Sequence, residues 1–238
     1  MVRIDGDRVE ETLPGAQGRL LLGFLALNRA RFVGRDELVE AIWGERLPSA
    51  PETALRALLS KLRAALGAER LEGKTDLRLV LPSGAQIDVE TASEAIHNAD
   101  AAVAQRDWRR AWVASHIAVN VARRQFLAGH EATWIDEKRR EMEEVHAAGL
   151  EALAAAGVGL GGPELDLAER AARQLIKVAP FRESGHRLLM ETLAAEGNVA
   201  EALLAYEALR TRLREELGIA PSSSLQELHS ELLKRAGD

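Results

Sequence analysis

The chain changes its grammar near residue 90, and that change constrains the fold more than any single motif. Residues 1–89 alternate short β-rich runs with stretches of helical periodicity, whereas from Glu90 onward essentially no strand signal is found. A sheet sandwich needs strands throughout, so it does not fit. The expectation is a mainly α protein of two domains: an α+β domain over 1–89 and an all-α domain over 90–238. Composition agrees, because aromatic residues make up only 4% while the chain is 47% hydrophobic, a balance rich in Ala and Leu that favours helices.

The first domain has a recognisable order. VRI-DGD-RVEETL reads as a hairpin, with Asp5-Gly6 supplying the positive-φ turn. Pro14 then opens a helix running to about Asn28, whose apolar side carries Leu20, Leu21, Phe24, Leu25 and Leu27. After a brief extended link at Arg31-Phe32-Val33, GRDELVEAIWG forms a second helix, anchored by Leu38, Ile42 and Trp43 and stopped by Gly44. LPSAP cannot be helical, since each proline restricts its predecessor, and Pro51 takes the first turn of a third helix. Two β-rich runs follow, Leu77 to Leu81 and Gln86 to Val89, flanking the turn signal Pro82-Ser83-Gly84. Hairpin, three helices and a closing hairpin is the order of a winged helix.

The third helix, PETALRALLSKLRAALG, carries the functional expectation. Leu55, Leu58, Leu59, Leu62 and Leu66 recur at spacings of three and four, so they share one face that must be buried. The opposite side shows Thr53, Arg56, Ala57, Ser60, Lys61 and Ala64, with Arg63 at its edge and no carboxylate. Such a face suits the major groove. Thr53, Arg56 and Ser60 would meet base edges, with Arg56 reaching guanine O6 and N7 together and Ala57 touching a thymine methyl. Lys61, Arg63 and Arg35 would sit at phosphates, with Lys74 and Arg78 doing the same from the wing. The plainer reading makes these residues a solvated surface; Arg19 in the first helix is assigned to that class. Local charge supports the first reading. The chain has net charge -6, yet from Pro14 to Pro82 eleven cations face eight acids, a balance of +3.

Beyond Glu90, helices are expected at about 91–106, 108–125, 131–156, 164–178, 182–196, 199–217 and 223–235. DWRRAWVASHIA, LDLAERAARQLI and NVAEALLAYEAL place Ala111, Ala168 and Ala202 early, then Ala118, Leu175 and Leu209 seven residues later. Small residues so placed let helices pair closely, as in a degenerate tetratricopeptide-like repeat.

RDELVEAIW followed by LPSAPETALRALLSKLRAALG resembles the OmpR-type winged helix of SARP-family bacterial activators. WIDEKRREMEEVHAAGLEAL, then APFRESGHRLLMETLAAEGNVAEALLAYEALRTRLREELGIAPSSSLQELHSELL, is similar to the bacterial transcriptional activator domain that follows it in that family. The resemblance covers residues 14 to 236. It implies sequence-specific binding of double-stranded DNA, often by a homodimer side by side on direct repeats, and recruitment of RNA polymerase. The N-terminal sheet departs from the pattern, being read as one hairpin where such domains carry more strands. In larger relatives an ATPase or sensor module follows; none is expected here.

Catalytic readings find no support in the residues. There is no cysteine, which excludes thiolate chemistry and cysteine-ligated zinc. Gly157 to Gly162 contains G-x-G-x-x-G, but helical GLEALAAAG precedes it where dinucleotide binding needs a strand, so it reads as a link between helices. His130-Glu131 lacks the second histidine of a zinc-protease helix, and the remaining histidines are scattered. Trp43, Trp108, Trp112 and Trp134 sit among Leu and Ala and read as core, not as base-stacking platforms. With no apolar run long enough to span a bilayer and no signal peptide, a cytoplasmic protein without membrane contact is expected. The expectation is a DNA-binding transcriptional regulator with no cofactor, no metal and no enzymatic activity. Its rival is a repeat-based interaction adaptor whose winged helix docks protein instead of DNA.

Overall fold

The structure is a computed structural model that describes residues 2–4, 7–9, 13 and 15–237. Its elements run β1 (Val2–Ile4), β2 (Asp7–Arg8), α1 (Ala16–Leu27), β3 (Val33–Gly34), α2 (Arg35–Trp43), α3 (Pro51–Leu66), β4 (Leu71–Glu72), β5 (Asp76–Leu79) and β6 (Gln86–Ile87). Helices alone follow: α4 (Asp88–Ala104), α5 (Trp108–Ala122), α6 (Thr133–Leu160), α7 (Leu165–Val178), α8 (Glu183–Ala195), α9 (Val199–Arg212) and α10 (Ser223–Gly237), with a π-helical turn at Leu213–Leu217 after α9. The expected switch at residue 90 is therefore present. Among the described residues no helix is long and apolar enough to cross a membrane.

The chain divides into two compact units, residues 1–91 with 124–142, and residues 92–123 with 143–238. In the first unit, α1 is buried on nearly every side, with Leu21 and Leu25 fully enclosed. Val33, Leu38, Leu55, Leu59, Leu62, Leu77 and Leu79 complete this core. Each enclosed Leu contributes about 1.5–3 kcal/mol, which is why the third helix cannot rotate its leucine face outward. Leu66, expected in that stripe, is only half-buried because it lies at the helix end before Gly67.

The sheets correct the expected wing. β5 pairs with β4 on one side and β3 on the other, in the registers Leu71↔Leu79, Glu72↔Arg78 and Val33↔Leu77. β6 instead joins β1, through Val2↔Ile87 and Arg3↔Gln86. Hence Pro82-Ser83-Gly84 does not close a hairpin between Leu77–Leu81 and Gln86–Val89. The ribbon is β4–β5, and its tip is Gly73-Lys74-Thr75. Gly73 holds φ +91, and a Cβ there would run into the Asp76 carbonyl, so only glycine fits this turn. The β1–β2 ladder (Arg3↔Arg8, Ile4↔Asp7) fits the expected N-terminal hairpin, though Asp5-Gly6 and Pro14 lie outside the described residues. With β6 that sheet has three strands, not the single hairpin expected.

Residues 124–142 belong to the first unit through specific contacts. Trp134 donates its indole N–H to the Ala41 carbonyl at 3.0 Å, one of the C-terminal carbonyls of α2 that the helix itself leaves unpaired. Its ring meets Phe24 and Phe126 edge-on, at centroid distances of 5.1 and 6.1 Å. The Arg139 guanidinium donates to the carbonyls of Phe126, Leu127 and His130, fixing the path of that segment.

In the second unit the six positions read as repeat signatures, Ala111, Ala118, Ala168, Leu175, Ala202 and Leu209, are all 0% exposed. Successive helices α7, α8 and α9 pack on one another around Leu188, Met190 and Leu193. The glycine run differs from expectation. Gly157 and Gly159 lie inside α6, and only Gly161 and Gly162, at φ +68 and +62, form the link. A Cβ on Gly159 would overlap the Trp108 indole, so the missing side chain seats the ring. All four tryptophans are half-buried, and Trp108, Trp112 and Trp134 pack against Gly159, the α7–α9 core and Phe24 respectively.

Candidate nucleic-acid interface

Pro51 at the first turn and Gly67 at the C-cap set the length of α3, and the buried leucines set its rotation. What remains faces solvent: Thr53, Arg56, Ala57, Ser60, Lys61 and Ala64 are all exposed, and Arg63 is half-buried at the edge. Among the described residues, neither Arg56 nor Lys61 has a carboxylate partner. Lys74 is exposed at the ribbon tip, likewise without a side-chain partner.

Arg35 and Arg78 are placed differently. Arg35 Nε donates to the Glu52 carboxylate at 3.0 Å, and Nη1 reaches the Lys74 carbonyl at 3.5 Å. Its Nη2 lies 3.0 Å from the same Glu52 oxygen, out of line for a hydrogen bond. One guanidinium thus ties the start of α2 to the first turn of α3 and to the tip of the ribbon. Arg78 donates to Glu72 at 2.6 Å across the ribbon and lies 4.7 Å above the Phe32 ring. Arg31 likewise closes on Glu37, and the pair holds the Glu37 carboxyl below its usual range, chiefly by hydrogen bonding.

Sequence reasoning missed Glu52, Glu72 and Phe32. Glu52 is the acid that holds Arg35 under α3, and its signal was its place in the first helical turn, where a carboxylate also suits the helix dipole. Phe32, 49% exposed, is explained by Arg78 resting on it. The surface that results is a rigid helix presenting hydroxyls, a methyl and two unpaired cations, beside a ribbon with a cation at its tip. Among the described residues no group of three or more His, Asp or Glu is arranged to hold a metal.

The model of the bacterial transcriptional activator domain matches residues 87–233. Regulatory protein AfsR of Streptomyces griseus is 29% identical over 218 residues, covering 92% of this chain and 22% of that protein. AfsR of Streptomyces coelicolor is 31% identical over 232 residues, covering 97% and 23%. The chain thus spans less than a quarter of the length of these curated relatives. A solved structure of Mycobacterium tuberculosis EmbR in complex with a low-affinity phosphopeptide superposes with a TM-score of 0.78 at 23% identity, over 98% of this chain and 62% of that one. At that identity the likeness carries the fold.

Proposed function

Because the chain belongs to the bacterial transcriptional activator domain family, among the SARP-type regulators, we propose that it is a sequence-specific, double-stranded-DNA-binding transcriptional activator. The observation that carries this reading is the exposed face of α3, with Arg56 and Lys61 free of carboxylates. Approach is electrostatic. Insertion then places Thr53, Arg56, Ala57 and Ser60 at base edges, while Lys61, Arg63 and Lys74 meet phosphates. Arg35 and Arg78 act one step back: Arg35 holds the first turn of α3 to the ribbon tip through Glu52 and the Lys74 carbonyl, and Arg78 braces the ribbon itself through Glu72 and Phe32, so both are positioning residues. The DNA-reading domain corresponds to the N-terminal part of the chain and the activator domain to the helical part. Recruitment of RNA polymerase, and binding of two copies on direct repeats, complete the proposal. No enzymatic step enters it.

The test is selection of bound duplexes from a randomised pool, followed by fluorescence anisotropy on the winning sequence at two salt concentrations. Affinity should fall with salt, with a slope of about -0.9 per neutralised phosphate. Arg56→Ala should cost about 1–3 kcal/mol and relax preference at one base pair, whereas Lys61→Ala should weaken all sequences alike. If both variants keep the parent affinity and salt slope, α3 is not the reading helix, and a protein-docking winged helix replaces this proposal.

A further inference from the structure

Helix α5 is built the wrong way round for a helix that only supports its neighbours. Its buried face is Ala111, Ala114, Ser115, Ala118 and Ala122, all small. Two of its β-branched residues nevertheless point out, Val113 at 62% and Ile117 at 42% exposed, whereas Val119 packs against the core. Arginines bracket that pair. Arg106, Arg109 and Arg110 stand at the N-terminal end and Arg123 at the other, all exposed, against the single acid Asp107. Asp107 is already engaged, accepting from the Arg110 backbone N–H at 3.2 Å. Among the described residues none of these arginines forms an ion pair. Arg109 and Arg110 also occupy the first helical turn, where the macrodipole disfavours cations. Among the described residues the Asp107 carboxylate at the N-cap is the one acid beside them, and it forms no ion pair with either.

We propose that the outer face of α5 docks an acidic amphipathic segment of a partner protein. Its apolar side chains cover Val113 and Ile117, and its carboxylates meet Arg109 and Arg110 at one end and Arg123 at the other. Two features select this occupant. A duplex would answer the arginines but offers no apolar surface for the Val113–Ile117 pair at the centre of the stripe. A second copy of the chain is a poor match, because many glutamates of α6 to α9 are occupied by their own arginines, as in Glu151–Arg182, Glu169–Arg173 and Glu191–Arg187. The inference rests on α5 alone and stands or falls independently of DNA binding by α3.

The test uses the full chain and a fluorescein-labelled synthetic helix with leucines at i and i+4 between glutamate pairs. The same composition in scrambled order and a random duplex serve as controls. Saturable anisotropy is expected with the amphipathic peptide, at least about tenfold tighter than with the scrambled one. Arg109→Glu with Arg110→Glu should abolish it. Val113→Ser with Ile117→Ser should weaken it about tenfold while circular dichroism stays unchanged; Ile117→Thr alone is the variant of record if the double change lowers helix content. Equal binding of the scrambled peptide, or insensitivity to the Val113 and Ile117 changes, overturns the proposal. So does duplex binding lost in the Arg109/Arg110 variant without peptide binding. Concentration-dependent self-association abolished by the same substitutions, seen by light scattering, assigns the face to a second copy and also overturns it.

Discussion

Gly157→Ala should destabilise the protein even though it replaces a glycine inside a helix. On propensity alone the change gains about 1 kcal/mol. The structure opposes it, because a Cβ there would lie 2.7 Å from the Ala168 Cβ, 3.1 Å from the Glu164 carbonyl oxygen and 3.1 Å from Trp112 Cζ3. Carbon atoms pack best about 3.5–4.0 Å apart, so α6 and α7 would have to separate by about 1 Å. Ala168 is fully buried on its own helix and has no rotamer with which to yield. Overpacking of this kind costs about 1–3 kcal/mol, giving a net loss of about 0–2 kcal/mol. At this chain length each kcal/mol lowers Tm by about 2–4 °C. The decisive form is a double-mutant cycle with Ala168→Gly, which removes the colliding methyl. Urea unfolding followed by circular dichroism and tryptophan fluorescence should show Gly157→Ala to be better tolerated in the Ala168→Gly background, by about 1 kcal/mol. Additive effects, together with a raised Tm for Gly157→Ala alone, would refute the claim that close approach explains the glycine.

Other perturbations follow from the same geometry. Trp134→Phe keeps the ring but removes the donor to the Ala41 carbonyl, and should lower stability by about 1 kcal/mol in the same urea assay. Gly73→Ala forces a side chain onto φ +91 against the Asp76 carbonyl; it should disturb the ribbon tip and weaken binding to a selected duplex while leaving helix content intact. Burial pushes the pKa values of His116, His146 and His186 below the ordinary 6.5, with Arg123 adding to the effect at His146 and Arg212 at His186. The unfolded chain therefore binds protons first as pH falls through 6.5, so stability should decline over the interval just below about pH 6.5. Urea midpoints that stay flat or rise over that interval would contradict this sign.

The helices were legible because their signal is local. Leucines at three- and four-residue spacing fixed α3 and its outward face, and small residues at 111, 168 and 202 marked positions that prove fully enclosed. Strand pairing was not legible, because two-residue strands carry almost no pattern. Pro82-Ser83-Gly84 offered a stronger turn signal than Gly73-Lys74-Thr75, yet β6 closes on residues more than eighty positions earlier. The interface residues divide in the same way. Exposure of Arg56 and Lys61 followed from periodicity, whereas the capture of Arg35 by Glu52 depends on how α2 meets α3 in space. Gly157 and Gly159 misled because intrinsic propensity argues against helix there, while the indoles they accommodate come from a separate helix.

Residues 124–142 return to a unit that the chain has already left at residue 91. A fold visited twice has no single scission point. Proteolysis, gene fusion or cloning that parts the polypeptide once between those stretches strands Trp134 and Arg139 on the wrong fragment, and the piece bearing α3 loses a wall of its own core. Such a module is complete only when both visits, and the helices threaded between them, stay on one polypeptide.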